Sequence, residues 1–366
     1  MIKVVSVFGT RPEAIKMAPV VKELESRNNI QSIVCVTAQH RDMLDQVLNI
    51  FKIKPDHDLN IMKPGQTLSY ITAAVLNGIE EVLVKEKPDL VLVHGDTTTA
   101  MAAALAAFYL QIPVGHVEAG LRTYDKYSPF PEEMNRQIID KIADYLFAPT
   151  TTSKKNIGEK LNVGQKIFVT GNTAIDALKT TVNNDYSNLV LDWAKGSRMI
   201  LVTAHRRENL GEPMRRIFTA IRKIVDEFSD VKVVYPVHMN PKVREVASDV
   251  LGDCDRIKLI EPLDVIDFHN FMENAFIIMS DSGGVQEEAP SLNKPVLVLR
   301  DTTERPEGVE AGTLKLVGTQ TDNIYNETKQ LLTDKKAYDK MARAKNPYGD
   351  GYASKYIVDA IVENFR

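Results

Sequence analysis

Short runs of β-branched and other apolar residues, without polar alternation, recur along this chain with helix-length segments between them. They fall at 3–8, 32–37, 90–94, 113–118, 145–149 and 166–170, and again at 199–204, 231–237, 257–261, 276–280, 295–299 and 313–317. A strand that is apolar on both faces must be covered on both. The pattern therefore predicts parallel sheets between layers of helices. The rhythm breaks at the more polar passage NNDYSNLVLDWAKGS, which places a boundary near 172–197 and divides the chain into two doubly wound α/β domains. A length of 366 residues suits two domains of ordinary size. The tail, NPYGDGYASKYIVDAIVENFR, reads as a Gly/Pro break and then an amphipathic helix able to serve either domain.

The unusual residues gather where these runs end: FGTRPE, TAQHR, HGDTTT, VEAGLRT, VTGNT, TAHRREN, YPVHMNP, SDSGGVQEE and LRDTTERPE. In open α/β sheets, ligands bind outside the carboxyl ends of the strands. Two domains with loaded strand ends predict one ligand cleft between them. In SDSGGVQEE, Gly283 and Gly284 allow close backbone approach, and the helix starting there aims free N–H groups and a positive dipole outward, which suits phosphate. A tight turn with a capped helix is the plainer reading. In FGTRPEAIK, Pro12 suits the first helical position, and Arg11 and Lys16 then stand near the helix mouth. Cations there oppose the dipole unless an anion joins them. With Arg300 and Arg305 in RDTTERPE, the elements resemble a diphosphate site.

Carboxylates and histidines supply candidate proton-transfer groups. Asp96 ends a strand and is either the N-cap of a helix over 97–110 or an acid/base residue. Glu118 is either paired with Arg122 or catalytic, and Glu132 and Glu133 follow in PFPEEMNRQ. Among seven histidines, His40, His94, His116, His205 and His238 lie near strand ends, and His205 is followed by Arg206 and Arg207. No spacing suits a zinc site, so no metal is expected. A near-balanced charge, 45 basic against 49 acidic side chains, leaves no footprint for nucleic acid or an anionic membrane. Two cysteines, Cys35 and Cys254, make no disulfide framework. The amino-terminal run carries no signal-peptide pattern, and the longest apolar run, 100–110, is too short to span a bilayer, so a cytoplasmic protein is expected.

In order along the chain, FGTRPEAIKMAP, VTAQHRDMLDQVL, VLVHGDTTT, PVGHVEAGLRT, SPFPEEMNR, TAHRREN, YPVHMNP, SDSGGVQEEAPSL and LRDTTERPEG closely resemble the bacterial non-hydrolysing UDP-N-acetylglucosamine 2-epimerases. The resemblance runs from about residue 2 to the last helix. It implies a glycosyltransferase-B-type architecture, with two Rossmann-like domains and an interdomain cleft. The first domain would comprise 1–171 plus the C-terminal helix 352–366, and the second 172–351. It further implies interconversion of UDP-GlcNAc and UDP-ManNAc without NAD, metal or other cofactor, by anti elimination of UDP to 2-acetamidoglucal and re-addition. The enzyme would be a homodimer supplying ManNAc for envelope polysaccharide.

By the same resemblance, Asp96, Glu118, Glu132 and His205 match the family's acid/base group. Arg11, Lys16, Ser282, Gly283, Gly284, Glu288 and Arg305 match its UDP contacts, and Phe268 is similar to its uracil-side aromatic. Some bacterial members also bind a second UDP-GlcNAc as an activator. Gln39, Glu132, Arg206 and His238 match that site, while Asp42 and Gly65 stand where some of those members carry glutamine and arginine. A UDP-sugar glycosyltransferase shares the fold and is the nearest rival, distinguished by transfer of the sugar to an acceptor.

Overall fold

The computed structural model describes residues 1–37, 41–61, 63, 65–158, 161–303 and 305–365, the side chains of 41–43 excepted. The chain divides into two compact units, Met1–Ala177 with Tyr348–Arg366, and Leu178–Pro347. The first unit runs past the expected limit at 171 and takes up the tail from 348 rather than 352. Hydrogen bonds account for the difference. The Asn172 N–H donates to the Tyr348 carbonyl at 2.7 Å, and the Asp176 carboxylate accepts from the N–H groups of Ala353 at 3.1 Å and Ser354 at 2.8 Å. Residues 172–177 thereby cap the tail helix Ala353–Asn364, which packs on the helix Arg11–Glu25 of the same unit.

The first unit contains β1 (Ile2–Phe8), β2 (Ile30–Val36), β3 (His57–Asp58), β4 (Leu90–His94), β5 (Val114–Val117), β6 (Tyr145–Ala148) and β7 (Lys166–Val169). They form one parallel sheet in the order β3-β2-β1-β4-β5-β6-β7. Successive side chains of β1 go to opposite faces. Val4 and Phe8 join a core with Met17, Val21 and Ile357, and Val5 and Val7 join one with Val75, Ile79 and Ala103.

The second unit contains β8 (Arg198–Thr203), β9 (Val231–Pro236), β10 (Ile257–Ile260), β11 (Ile277–Ser280), β12 (Val296–Val298) and β13 (Leu314–Leu316). These form a parallel sheet in the order β10-β9-β8-β11-β12-β13, again with a buried core on each face. The expected class, two doubly wound α/β domains, is what the chain forms. Each sheet has one place where the strand order reverses, between β1 and β4 in the first and between β8 and β11 in the second. The loops leaving those strands flank the crevice that such a reversal opens. Among the described residues, no helix is long and apolar enough to cross a membrane.

Candidate active site

At the first reversal, β1 runs into Gly9 and Thr10 before the helix Arg11–Glu25. A Cβ on Gly9 would lie 1.9 Å from Thr37 Oγ1, so only glycine fits there. Pro12 stands at the second helical position rather than the first, and buried Glu13 folds back to accept from the N–H groups of Thr10 at 2.7 Å and Gly9 at 3.1 Å. Glu13 also accepts from Thr97 Oγ1 at 2.7 Å, which joins this helix mouth to the loop after β4. Burial pushes its carboxyl above the ordinary range, against those hydrogen bonds. Arg11, half-buried, makes no ion pair with any described residue, so its guanidinium is available at the helix mouth.

Lys16, one turn on, bonds to Glu118 Oε1, which also accepts from Asn172 Nδ2 at 3.1 Å. Glu118 sits just beyond β5 with left-handed backbone, φ 68°, a conformation a non-glycine residue adopts at a cost of about 1–3 kcal/mol. Arg122 is not its partner. That guanidinium lies 2.5 Å from Asp140 Oδ2, so the pairing alternative for Glu118 is corrected to Lys16. The Asp96 alternative resolves as well. The helix Thr98–Tyr109 is capped by Thr97, whose hydroxyl accepts from the Ala100 N–H at 3.0 Å, and the Asp96 carboxylate instead meets Arg136 Nη2 at 2.7 Å. Burial pushes Asp96 above the ordinary carboxylate range. Arg136 resists, Glu118 and Glu132 add to the push, and Lys16 opposes it. Asp96, Glu118, Glu132 and Lys16 thus share one electrostatic neighbourhood. Glu133 is occupied elsewhere, accepting from the Thr123 N–H at 2.9 Å and Gln137 Nε2 at 2.7 Å.

His94, at the end of β4, adds a neutral imidazole to this cluster. Its Nε2 lies 3.7 Å from Glu118 Oε2, and neither ring nitrogen has a hydrogen-bond partner. Burial is the main cause that brings its pKa down to about 4; Glu118 opposes that, while Lys16 and His116 reinforce it. Folding therefore favours the uncharged ring. This contribution to stability is complete above the unfolded value near 6.5 and is lost as pH falls from there toward 4. His94→Gln, which cannot titrate, is expected to reduce the loss of unfolding free energy between pH 7 and pH 4 by about 3 kcal/mol. Urea unfolding at the two pH values measures it, and an unchanged difference would contradict a neutral His94.

At the second reversal, a cavity of about 210 Å³ is lined by Thr203, Ala204, His205, Pro236, His238, Pro262, Leu263, Phe268, Ser282 and Val285. The His205 and His238 rings stack, with centroids 5.3 Å apart and planes 8° from parallel. Partial desolvation lowers the pKa of His205, Asp281 opposing and His238 and Arg206 assisting, so the ring favours its neutral form. The loop is held by buried Asp281, whose Oδ2 accepts from the N–H groups of His205 at 2.8 Å and Arg206 at 2.9 Å and from Asn209 Nδ2 at 3.0 Å. Ser282 stands at the N-cap position of the short helix Gly283–Glu288 without a side-chain capping hydrogen bond. A Cβ on Gly283 would fall 3.2 Å from Arg305 Cζ, so the bare glycine admits that guanidinium, which donates from Nε to Glu287 Oε1 at 2.9 Å. Glu288 turns to His269 at 3.5 Å, and Arg300 lies 3.0 Å from Glu208. A Cβ on Gly284 would meet only Glu288 Oε1, at 3.9 Å, among the described residues.

A family model described as UDP-N-acetylglucosamine 2-epimerase matches residues 22–362. The chain belongs to that family. The UDP-N-acetylglucosamine 2-epimerase of Bacillus subtilis is 65% identical over 364 residues, covering 100% of this chain and 96% of that protein. The S. aureus MnaA structure solved with UDP aligns at a TM-score of 0.91 and 56% identity, over 100% of this chain and 97% of that one. The Neisseria meningitidis UDP-GlcNAc 2-epimerase bound to UDP-GlcNAc aligns at 0.88 and 52%, over 99% and 100%.

Set beside the family motifs, the first unit gathers Lys16, Asp96, Glu118 and Glu132, and the second gathers His205, His238, Phe268 and Ser282 around one cavity. Gln39 lies outside the described residues. Arg206 takes part in the His205 loop, donating from Nε to the Asp281 carbonyl at 3.2 Å. The motifs hid four supporting residues of this epimerase: Glu13, Arg136, Asn172 and Asp281. Glu13, Asn172 and Asp281 stand inside quoted strand-end segments and Arg136 in the motif SPFPEEMNR, which is the one signal that points to them.

Proposed function

We propose that the chain catalyses reversible epimerisation at C2 of UDP-GlcNAc to UDP-ManNAc, by anti elimination of UDP to 2-acetamidoglucal and re-addition from the opposite face. C2 of this sugar has no adjacent carbonyl and no acidic proton. Expelling the C1 diphosphate while removing that proton avoids the need for a redox step. The reading is carried by the carboxylate cluster at the β1/β4 reversal, where Glu118 lies beside Lys16 and Asp96 is pushed toward its protonated form by burial. An ion-paired carboxylate beside a carboxyl pushed toward its protonated form suits a base and an acid working in turn.

The remaining roles follow the same division. Arg11, Lys16 and Arg305, with Ser282, Gly283 and Gly284, stabilise the charge that develops on the departing diphosphate. Phe268 and the apolar cavity wall take the uracil. Glu288 meets the ribose, and His205, whose ring favours the neutral form, exchanges a proton at the diphosphate side. Purified protein given UDP-GlcNAc without added NAD should equilibrate it with UDP-ManNAc, as resolved by anion-exchange chromatography. Stoichiometric free UDP with free ManNAc, or transfer of the sugar to an acceptor, would contradict this.

Two further parts of the reading concern assembly and control. A homodimer is supported by apolar side chains exposed on adjacent helices of the first unit: Phe108 and Tyr109 on one, Met134 and Ile138 on the next. Sedimentation at the chain mass of 40.9 kDa would remove it. Activation by a second UDP-GlcNAc through Gln39, Arg206 and His238 predicts a sigmoidal rate curve, and a hyperbolic one removes it. A nucleotide-sugar substrate and two unpaired thiols, Cys35 and Cys254, fit the cytoplasm.

A further inference from the structure

His116 lies in β5, fully buried, and both its ring nitrogens face acceptors. Nε2 is 2.7 Å from the Gly95 carbonyl and Nδ1 is 2.6 Å from Asp140 Oδ1. A carbonyl oxygen only accepts, so Nε2 carries a proton. Asp140 Oδ2 lies 2.5 Å from Arg122 Nη2. Burial pushes Asp140 up, but His116 and Arg122 together hold it below the ordinary range. His116, Asp140 and Arg122 therefore form a buried chain of polar contacts that ends on the Gly95 carbonyl.

What the chain grips is the peptide just before Asp96. Gly95 has φ 64°, a left-handed turn that glycine adopts without strain, and its N–H donates to the Val117 carbonyl at 2.9 Å. The Asp96 carbonyl accepts from Asn135 Nδ2 at 2.9 Å, and its carboxylate meets Arg136 at 2.7 Å. Asn135, Arg136 and Asp140 all stand on the helix Glu132–Ile142, which thus holds the turn directly through the first two and through His116 by the third. A Cβ on Gly95 would lie 3.4 Å from Glu118 Oε2, so the turn abuts the second carboxylate too.

We propose that His116, braced by Asp140 and Arg122, is a positioning residue that fixes the Gly95–Asp96 peptide and so aims the Asp96 carboxylate at the sugar. The proposal rests on the assignment of Asp96 to proton transfer. His116→Phe removes both ring nitrogens, and kcat is expected to fall about 100-fold with KM for UDP-GlcNAc within about threefold of wild type. His116→Gln keeps an amide N–H able to reach the Gly95 carbonyl and should recover about tenfold of that loss, whereas the shorter His116→Asn should not. Wild-type kcat in His116→Phe would overturn the proposal. So would a joint fall of kcat, UDP affinity and thermal stability that glutamine does not relieve. Asp96→Asn is measured alongside. If it turns over normally, the Asp96 assignment fails and takes the proposal with it. If it is inactive while His116→Phe is active, the proposal fails alone. Should the phenylalanine variant not fold, the Gln and Asn variants decide, equal kcat values overturning the proposal.

Discussion

Replacing Glu118 by glutamine is expected to lower kcat about 1,000-fold, the range that removal of a positioned general base produces, while UDP binds as before. The amide keeps the size of the side chain and can still accept from Lys16 and Asn172 Nδ2, the two donors that hold Oε1. What it loses is the capacity to take a proton. The left-handed backbone at Glu118 supports the same expectation. Strain of that kind persists where the surroundings enforce it, and here Lys16, Asn172 and the Gly95 turn do so. UDP affinity should hold because the substitution leaves in place every residue proposed to hold UDP, Phe268, Ser282 and Arg305 of the second unit among them. Steady-state kinetics with calorimetric UDP titration checks both halves. A variant within tenfold of wild-type kcat would leave Glu118 as no more than the partner of Lys16.

The largest effect on stability is expected at Asp281. Its Oδ2 accepts three hydrogen bonds, from the main chain of His205 and Arg206 and from Asn209, and the side chain is fully buried. Asp281→Ala leaves those donors without an acceptor, at a cost of about 3–5 kcal/mol. For a unit of this size that lowers Tm by about 10 °C. Activity should fall at temperatures where the variant remains folded, because the loop that carries His205 loses its anchor. Calorimetry and kcat at 20 °C measure the two effects separately. A Tm within 2 °C of wild type would show that the loop is held by other means.

The strand series was legible because sheets covered on both faces leave unbroken apolar runs in the chain. β3, two residues at a sheet edge, has no such run: His57 and Asp58 pair in register with Cys35 and Val36. The strand-end segments were legible for a related reason, since polar and glycine residues directly after a buried strand face a crevice. What sequence could not supply was which of them face each other. Arg122 stands four residues from Glu118, yet left-handed turns at Glu118 and Gly120 lie between them, and Arg122 finds Asp140 on a helix. Asp96 has the chemistry of an N-cap, but the helix starts one residue later and Thr97 takes that position. Asp281 reads as one more polar residue in SDSGG, and only the fold reveals that it closes the His205 loop.

Elimination and re-addition at C2 are tested most directly by NMR of UDP-GlcNAc turned over in D₂O with no added cofactor. The expected product is UDP-ManNAc with deuterium at C2, accompanied by traces of UDP and 2-acetamidoglucal. UDP-ManNAc that retains the original proton at C2 throughout would contradict it.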